Sequence, residues 1–109
     1  MDFRIEEVSG IGDYEEKDLL ENKKDVEQKK REKIYCIPNG KAFCIKREKT
    51  IELRTDKNLS GLLREKYESV MVSRYFGNGG IEIVLSGQIT LEELYDMVRL
   101  SFNLTKNLE

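Results

Sequence analysis

The sequence predicts an α+β domain: an antiparallel sheet of about five strands with helices packed on one face, in the order α-β-β-β-α-β-β-α. Three observations predict it. Short runs rich in β-branched and aromatic residues come in pairs around turn residues, as in Ile34-Tyr35-Cys36-Ile37, Pro38-Asn39-Gly40-Lys41, Ala42-Phe43-Cys44-Ile45. Between such pairs lie stretches with apolar residues at helical spacing. The chain has 109 residues, 39% of them hydrophobic, which suits one domain with one modest core.

Residues 1–13 are expected to be irregular. Phe3, Ile5, Val8 and Ile11 offer some apolar spacing, but Gly10 and Gly12 interrupt any regular element. A helix is expected over about 14–31, with Asp13 as N-cap and Glu15, Glu16 and Asp18 in its first turn, where carboxylates complement the helix dipole. Its apolar stripe is thin: Tyr14, Leu19, Leu20 and Val26.

Asn39-Gly40 between apolar runs is a strong hairpin signal, because both residues tolerate positive φ. A two-residue loop there pairs Ile37 with Ala42, Cys36 with Phe43 and Tyr35 with Cys44, which puts the two cysteines on opposite faces. A three-residue loop would set them opposite each other. Free thiols are the expectation, in keeping with a reducing cytoplasm. After the charged tip Lys46-Arg47-Glu48-Lys49, a third strand covers Thr50-Ile51-Glu52-Leu53-Arg54-Thr55. Ile51 and Leu53 point to one face, Glu52 and Arg54 to the other.

The next helix runs over about 57–67, capped by Asp56 or Asn58, with Leu59, Leu62, Leu63 and Tyr67 on one face. Gly61 weakens it by up to ~1 kcal/mol relative to alanine. Val70 to Tyr75 and Ile81 to Leu85 form a second hairpin around a turn at Gly77-Asn78-Gly79-Gly80. Thr90-Leu91-Glu92-Glu93 is a capping box opening a final helix with Leu91, Leu94, Val98 and Phe102 on one stripe. The terminal Leu108-Glu109 reads as the scar of a purification tag.

From Lys41 to about Asn107 the chain resembles the YjbR-like (MmcQ/YjbR) family. Gly40-Lys41-Ala42-Phe43-Cys44-Ile45 is similar to that family's "GKMFA-hydrophobic" strand, and Ile51-Glu52-Leu53-Arg54-Thr55-Asp56 to its "hydrophobic-S-L-K-x-D/S" strand. Leu62-Leu63-Arg64-Glu65-Lys66-Tyr67 is similar to its "LREQY" helix. Val84-Leu85-Ser86-Gly87 with Leu91-Glu92-Glu93-Leu94 is similar to "V-x-L-D-G-x-L-P-D-E-hydrophobic". The resemblance implies an α+β fold related to frataxin-like domains. It also implies DNA binding by a double-wing arrangement in which β-hairpins are the wings, and no enzymatic activity. One departure stands out. Where relatives carry a segment like "H-x-N-K-x-H-W", this chain reads Tyr75-Phe76-Gly77-Asn78-Gly79-Gly80-Ile81, one residue shorter and without the histidines, lysine and tryptophan. The strand pair from Phe43 to Thr55 is also similar to the N-terminal domain of TfoX-like proteins; the second half favours YjbR.

Composition narrows the chemistry. The chain has no histidine and no tryptophan, so the usual general base and the commonest zinc ligand are missing. Two cysteines cannot complete a four-thiolate zinc site. No cofactor is expected. No apolar run approaches the ~20 residues that span a bilayer, and the N-terminus lacks a signal-peptide layout, so the expected location is cytoplasmic and off the membrane.

The net charge of −2 is unevenly spread. Residues 1–22 carry two positive and eight negative side chains, 23–66 fourteen positive and seven negative, and 67–109 three positive and six negative. The basic middle, together with Arg74, supplies a candidate nucleic-acid surface: Lys29, Lys30, Arg31, Lys33, Lys46, Arg47, Lys49 and Arg74. Against it stand the overall pI of about 5.4 and the bland alternative of a solvated surface of mixed charge. Tyr75 and Phe76 suit either base stacking or packing. The acidic group Asp13, Glu15, Glu16, Asp18 and Glu21 suits helix capping, or weak binding of a hard cation. Gly77-Asn78-Gly79-Gly80 lacks the P-loop pattern and reads as a turn. The leading expectation is a DNA-binding accessory domain. The alternative is a non-enzymatic protein-interaction module.

Overall fold

A computed structural model of the chain describes residues 3–19 and 32–108. Among the described residues, eight regular elements follow a 3-10 turn at Ile5–Glu7: β1 Glu15–Asp18, β2 Lys33–Cys36, β3 Ala42–Lys46, β4 Thr50–Arg54, α1 Lys57–Lys66, β5 Val70–Ser73, β6 Gly77–Val84 and α2 Leu91–Lys106. The strands form one six-stranded sheet in the order β1-β2-β3-β4-β6-β5, with every neighbouring pair antiparallel. The class is therefore α+β, with one strand more than the pattern suggested.

The sheet's inner face carries the core. Ile51 and Leu53 of β4 alternate toward it, joined by Ile81 and Ile83 of β6 and by Val70 of β5. Leu94, Val98 and Phe102 of α2 fall on one stripe and pack against them, as helical spacing requires. Leu63 of α1 and Tyr67, which follows its last turn, pack against the same cluster. Tyr67 also donates its hydroxyl to Glu93 at the start of α2 (2.7 Å), which ties the two helices together.

Both helix starts follow from their caps. Asp56 accepts from the Leu59 N–H at 2.7 Å and opens α1. Thr90 and Glu93 form the capping box reciprocally at the start of α2. On α1 the expected apolar stripe is corrected in one place: Leu62 is 64% exposed. The small, buried Ser60 takes the close-packed position instead, donating to the Gly80 carbonyl at 2.9 Å.

The expected helix over 14–31 is not what residues 15–18 form. Glu15–Asp18 are β1, paired antiparallel to β2 from Glu15 opposite Cys36 to Asp18 opposite Lys33. The ladder continues with the Leu19 N–H on the Glu32 carbonyl at 3.0 Å. Carboxylates at these positions match a helix N-terminus in sequence alone. Here the edge of β2 supplies the backbone partners, and the same side chains bond across strands: Asp18 to Lys33, Glu16 to the Tyr35 hydroxyl. The rest of that expected helix, residues 20–31, lies outside the described residues. The segment before β1 is irregular apart from its 3-10 turn, yet it is packed: Phe3, Ile5 and Val8 are buried, and Phe3 meets Tyr95 edge-on at 5.7 Å.

The first hairpin turns where Asn39-Gly40 signalled. Its loop has three residues, Pro38-Asn39-Gly40, closed by the Gly40 N–H on the Ile37 carbonyl at 2.9 Å, with Gly40 at φ +95°. Tyr35 opposes Cys44 as expected, but a bulge lets Cys36 oppose Ala42 rather than Phe43. Both cysteines are free and buried. The second hairpin is corrected more: its turn is Arg74-Tyr75-Phe76, and the glycines lie within β6. Gly77 takes the left-handed conformation at φ +62° that closes the turn. Gly80 leaves room for Phe76, since a Cβ there would sit 2.4 Å from the Phe76 Cβ and 2.8 Å from the Leu53 carbonyl oxygen.

Candidate functional site on the outer face of the sheet

Strand alternation that sends Ile51 and Leu53 inward sends Thr50, Glu52 and Arg54 outward. Glu82 of β6 is the register partner of Glu52, so two carboxylates stand opposite each other on adjacent central strands. Both are buried. Like charges so placed repel, and buried charge is costly unless paired. Each therefore has its own cation.

Glu52 takes Arg47, whose Nε donates to Oε2, while Nη1 of the same guanidinium lies 3.4 Å from Glu32. The other oxygen of Glu52 accepts from the Ser73 hydroxyl at 2.6 Å and from the Tyr75 N–H at 2.9 Å. Ser73 Oγ in turn accepts the Phe76 N–H at 2.9 Å. Glu82 takes Arg74 in a fork, Nε to Oε1 at 3.0 Å and Nη2 to Oε2 at 2.7 Å, and accepts from the Thr50 hydroxyl at 3.0 Å. Burial pushes the Glu82 carboxyl up. The hydrogen bonds from Arg74 and Thr50 outweigh it and hold the group below its ordinary value. The turn after β5 thus folds back over the sheet. Phe76 packs on Gly80 and under the Arg54 guanidinium, 4.9 Å from the ring centre.

The basic candidates are distributed as follows. Lys29, Lys30 and Arg31 lie outside the described residues. Lys33 pairs with Asp18, a hydrogen bond that raises the lysine's pKa, and is the register partner of Lys46. Lys46 donates to the Arg47 carbonyl. Arg47 is only 5% exposed and is committed to Glu52 and Glu32, so it is not a groove-entering side chain. Lys49 is exposed at the β3–β4 tip, where Phe3, Lys46, Leu85 and Ser86 line a shallow groove with it. Arg74 is paired to Glu82, yet its side chain is 62% exposed. Tyr75 beside it is exposed too, and meets Phe76 edge-on at 5.0 Å. The structure brings Arg47 and Arg74 onto one face through Glu52 and Glu82, and leaves Lys33 among the outer strands.

Glu52, Glu82, Thr50 and Ser73 were not singled out from the sequence. Alternation placed Glu52 outward; the burial of that face depends on packing between distant segments. The acidic group near the N-terminus does not assemble into one site. Glu16 bonds Tyr35, Asp18 bonds Lys33, Glu15 lies 3.7 Å from Lys17, and Glu21 is outside the described residues. Among the described residues no group of three or more histidine, cysteine or acidic side chains is placed to hold a metal ion. Burial pushes the thiols of Cys36 and Cys44 up, away from the reactive thiolate.

Fold and site together define a small α+β domain whose antiparallel sheet carries two helices on one face and a charged, hydrogen-bonded network on the other. No family model and no curated protein matches the chain. It is similar to the crystal structure of a protein from Pseudomonas syringae, at a TM-score of 0.61 and 21% identity over 69% of this chain and 77% of that one. That likeness is one of fold.

Proposed function

We propose that this domain is a non-enzymatic DNA-binding accessory module that contacts phosphates through the β5–β6 turn and the neighbouring β3–β4 tip. The observation that carries the reading is the exposed Arg74-Tyr75 pair. Glu82 fixes two of the guanidinium's nitrogens, and among the described residues nothing bonds Nη1. An arginine already oriented in this way loses less entropy on meeting a phosphate, and an adjacent exposed tyrosine offers a stacking face. Lys49 adds a second cation from the tip that leads into Thr50, itself bonded to Glu82. The resemblance to YjbR-like proteins, with hairpins as wings, supports the same reading. Arg47 is excluded from the contact set.

Few cations are involved, so the affinity is weak and only moderately salt-dependent. Fluorescence anisotropy of a short labelled duplex, from about 50 to about 200 mM salt, is expected to give a log–log slope of roughly −2 to −3. R74A should weaken binding several-fold. No binding at the lowest salt sinks the reading.

One observation favours a second reading, a protein partner. Met71 and Val72 are 45% and 40% exposed on β5, the last strand of the sheet. Exposed apolar side chains on an edge strand suit addition of an extended peptide. Its affinity would vary little with salt. Both readings fit a cytoplasmic protein. Among the described residues no helix is long and apolar enough to cross a membrane.

A further inference from the structure

We infer that Glu52 and Glu82 are positioning residues that lock the β3–β4 and β5–β6 turns into one fixed surface. That this surface meets nucleic acid rests on the reading above; the lock itself does not.

Glu52 joins Arg47, at the start of the β3–β4 turn, to Ser73, the last residue of β5, and to Tyr75 of the β5–β6 turn. Glu82 joins Thr50, at the end of the β3–β4 turn, to Arg74 of the β5–β6 turn. These are two bridges side by side, built on register partners, and each spans the same two turns. The sheet does not need carboxylates there. Ile45, the register partner of Glu52 on the other side, is fully buried on the same outer face. An apolar residue at Glu52 would avoid burying charge, and replacing a buried ion pair by apolar residues is often neutral or stabilising. A carboxylate does what isoleucine cannot: it accepts bonds from several directions and so fixes the turn's backbone N–H as well as its side chains.

The turn's own sequence is compatible with being held from outside. Tyr75 has its N–H on Glu52 Oε1, and Phe76 has its N–H on Ser73 Oγ. The register slips between Val72 and Ser73, so β5 passes into the turn through an irregularity. Releasing the carboxylate therefore frees the turn and leaves the strand pair.

Amide hydrogen exchange on the full chain tests this. The double variant R47M/E52L removes both members of the Arg47–Glu52 pair and leaves only Glu32, whose side chain is 16% exposed, without its cation. Exchange at the Tyr75 amide is expected to accelerate roughly tenfold or more, the equivalent of losing one bond to a charged group. Exchange at the Leu94 amide in α2 should stay within a few-fold of the wild type. A folded double variant with unchanged Tyr75 exchange overturns the proposal. T50V at the sheet's rim keeps the test alive should the double variant not fold. It should accelerate exchange of the Arg74 Nε–H, and an unchanged rate there overturns the second bridge. Faster Tyr75 exchange in a protein that binds no DNA supports the lock and removes only its proposed ligand.

Discussion

Glu52 and Glu82 oppose each other across β4 and β6, and each is neutralised by an arginine from a different turn. Two like charges become tolerable in the middle of a sheet because each is satisfied on its own side. The arrangement gives the outer face its order and determines which cations remain available to a partner.

The Arg47 pair is the most sensitive point of that network. R47M alone leaves Glu52 buried without its cation, and the expected loss of stability is about 3–5 kcal/mol. R47M/E52L should recover most of it. Urea denaturation of the single and double variants measures both values. A single variant within 1 kcal/mol of wild type, on the scale of an exposed pair, contradicts the burial of this pair.

Gly80 is required by its neighbour and not by its own backbone angles. An alanine there must displace Phe76 or the β4 backbone, since its Cβ would lie 2.4 Å from one and 2.8 Å from the other. G80A is expected to cost about 1–3 kcal/mol. Combined with F76A, which opens the space beside it, the two losses should sum to more than the double variant shows. Simple additivity would mean the two residues do not touch.

The pH response follows from carboxyls held below their ordinary value of 4.5. Glu82 is buried, which raises it, but Arg74 and Thr50 bring it down. Glu93 is lowered by the Tyr67 hydroxyl and then by Thr90. A depressed folded-state pKa contributes stability that is present above the unfolded value and lost as pH falls through the folded one. Tm should therefore decline as pH drops below about 4.5, and more gently in E82Q. Identical slopes for wild type and E82Q would contradict the assignment.

Both thiols are buried, and burial raises their pKa. Alkylation at neutral pH should be negligible in the folded protein and reach two equivalents in denaturant. Rapid labelling of either cysteine without denaturant would contradict the packing around β2 and β3.

The inner half of the molecule was legible in the sequence. Ile51, Leu53, Ile81 and Ile83 alternate, Leu94, Val98 and Phe102 recur at helical spacing, and Thr90 with Glu93 announces a helix start. Each is a local signal, and each appears where its pattern puts it. β1 was not legible. Its four residues are all charged and exposed, and it is a strand only because β2 offers an unpaired edge. The turn at Arg74-Tyr75-Phe76 was hidden by the glycines after it, one of which is needed for room against Phe76 and not for turning. The outer-face network was half legible. Alternation gave the direction of Glu52, but its depth comes from Arg47, Ser73 and Tyr75 reaching it from elsewhere in the chain.

The most direct measurement is an amide chemical-shift titration of the labelled protein with a short DNA duplex, at low and then moderate salt. Shifts are expected at residues 49–50 and 73–76 and weaken as salt rises, while the amides of β1 and of the inner helices stay unmoved. Shifts confined to 70–72 and indifferent to salt, or no shifts at all at low salt, would contradict the proposed DNA contact.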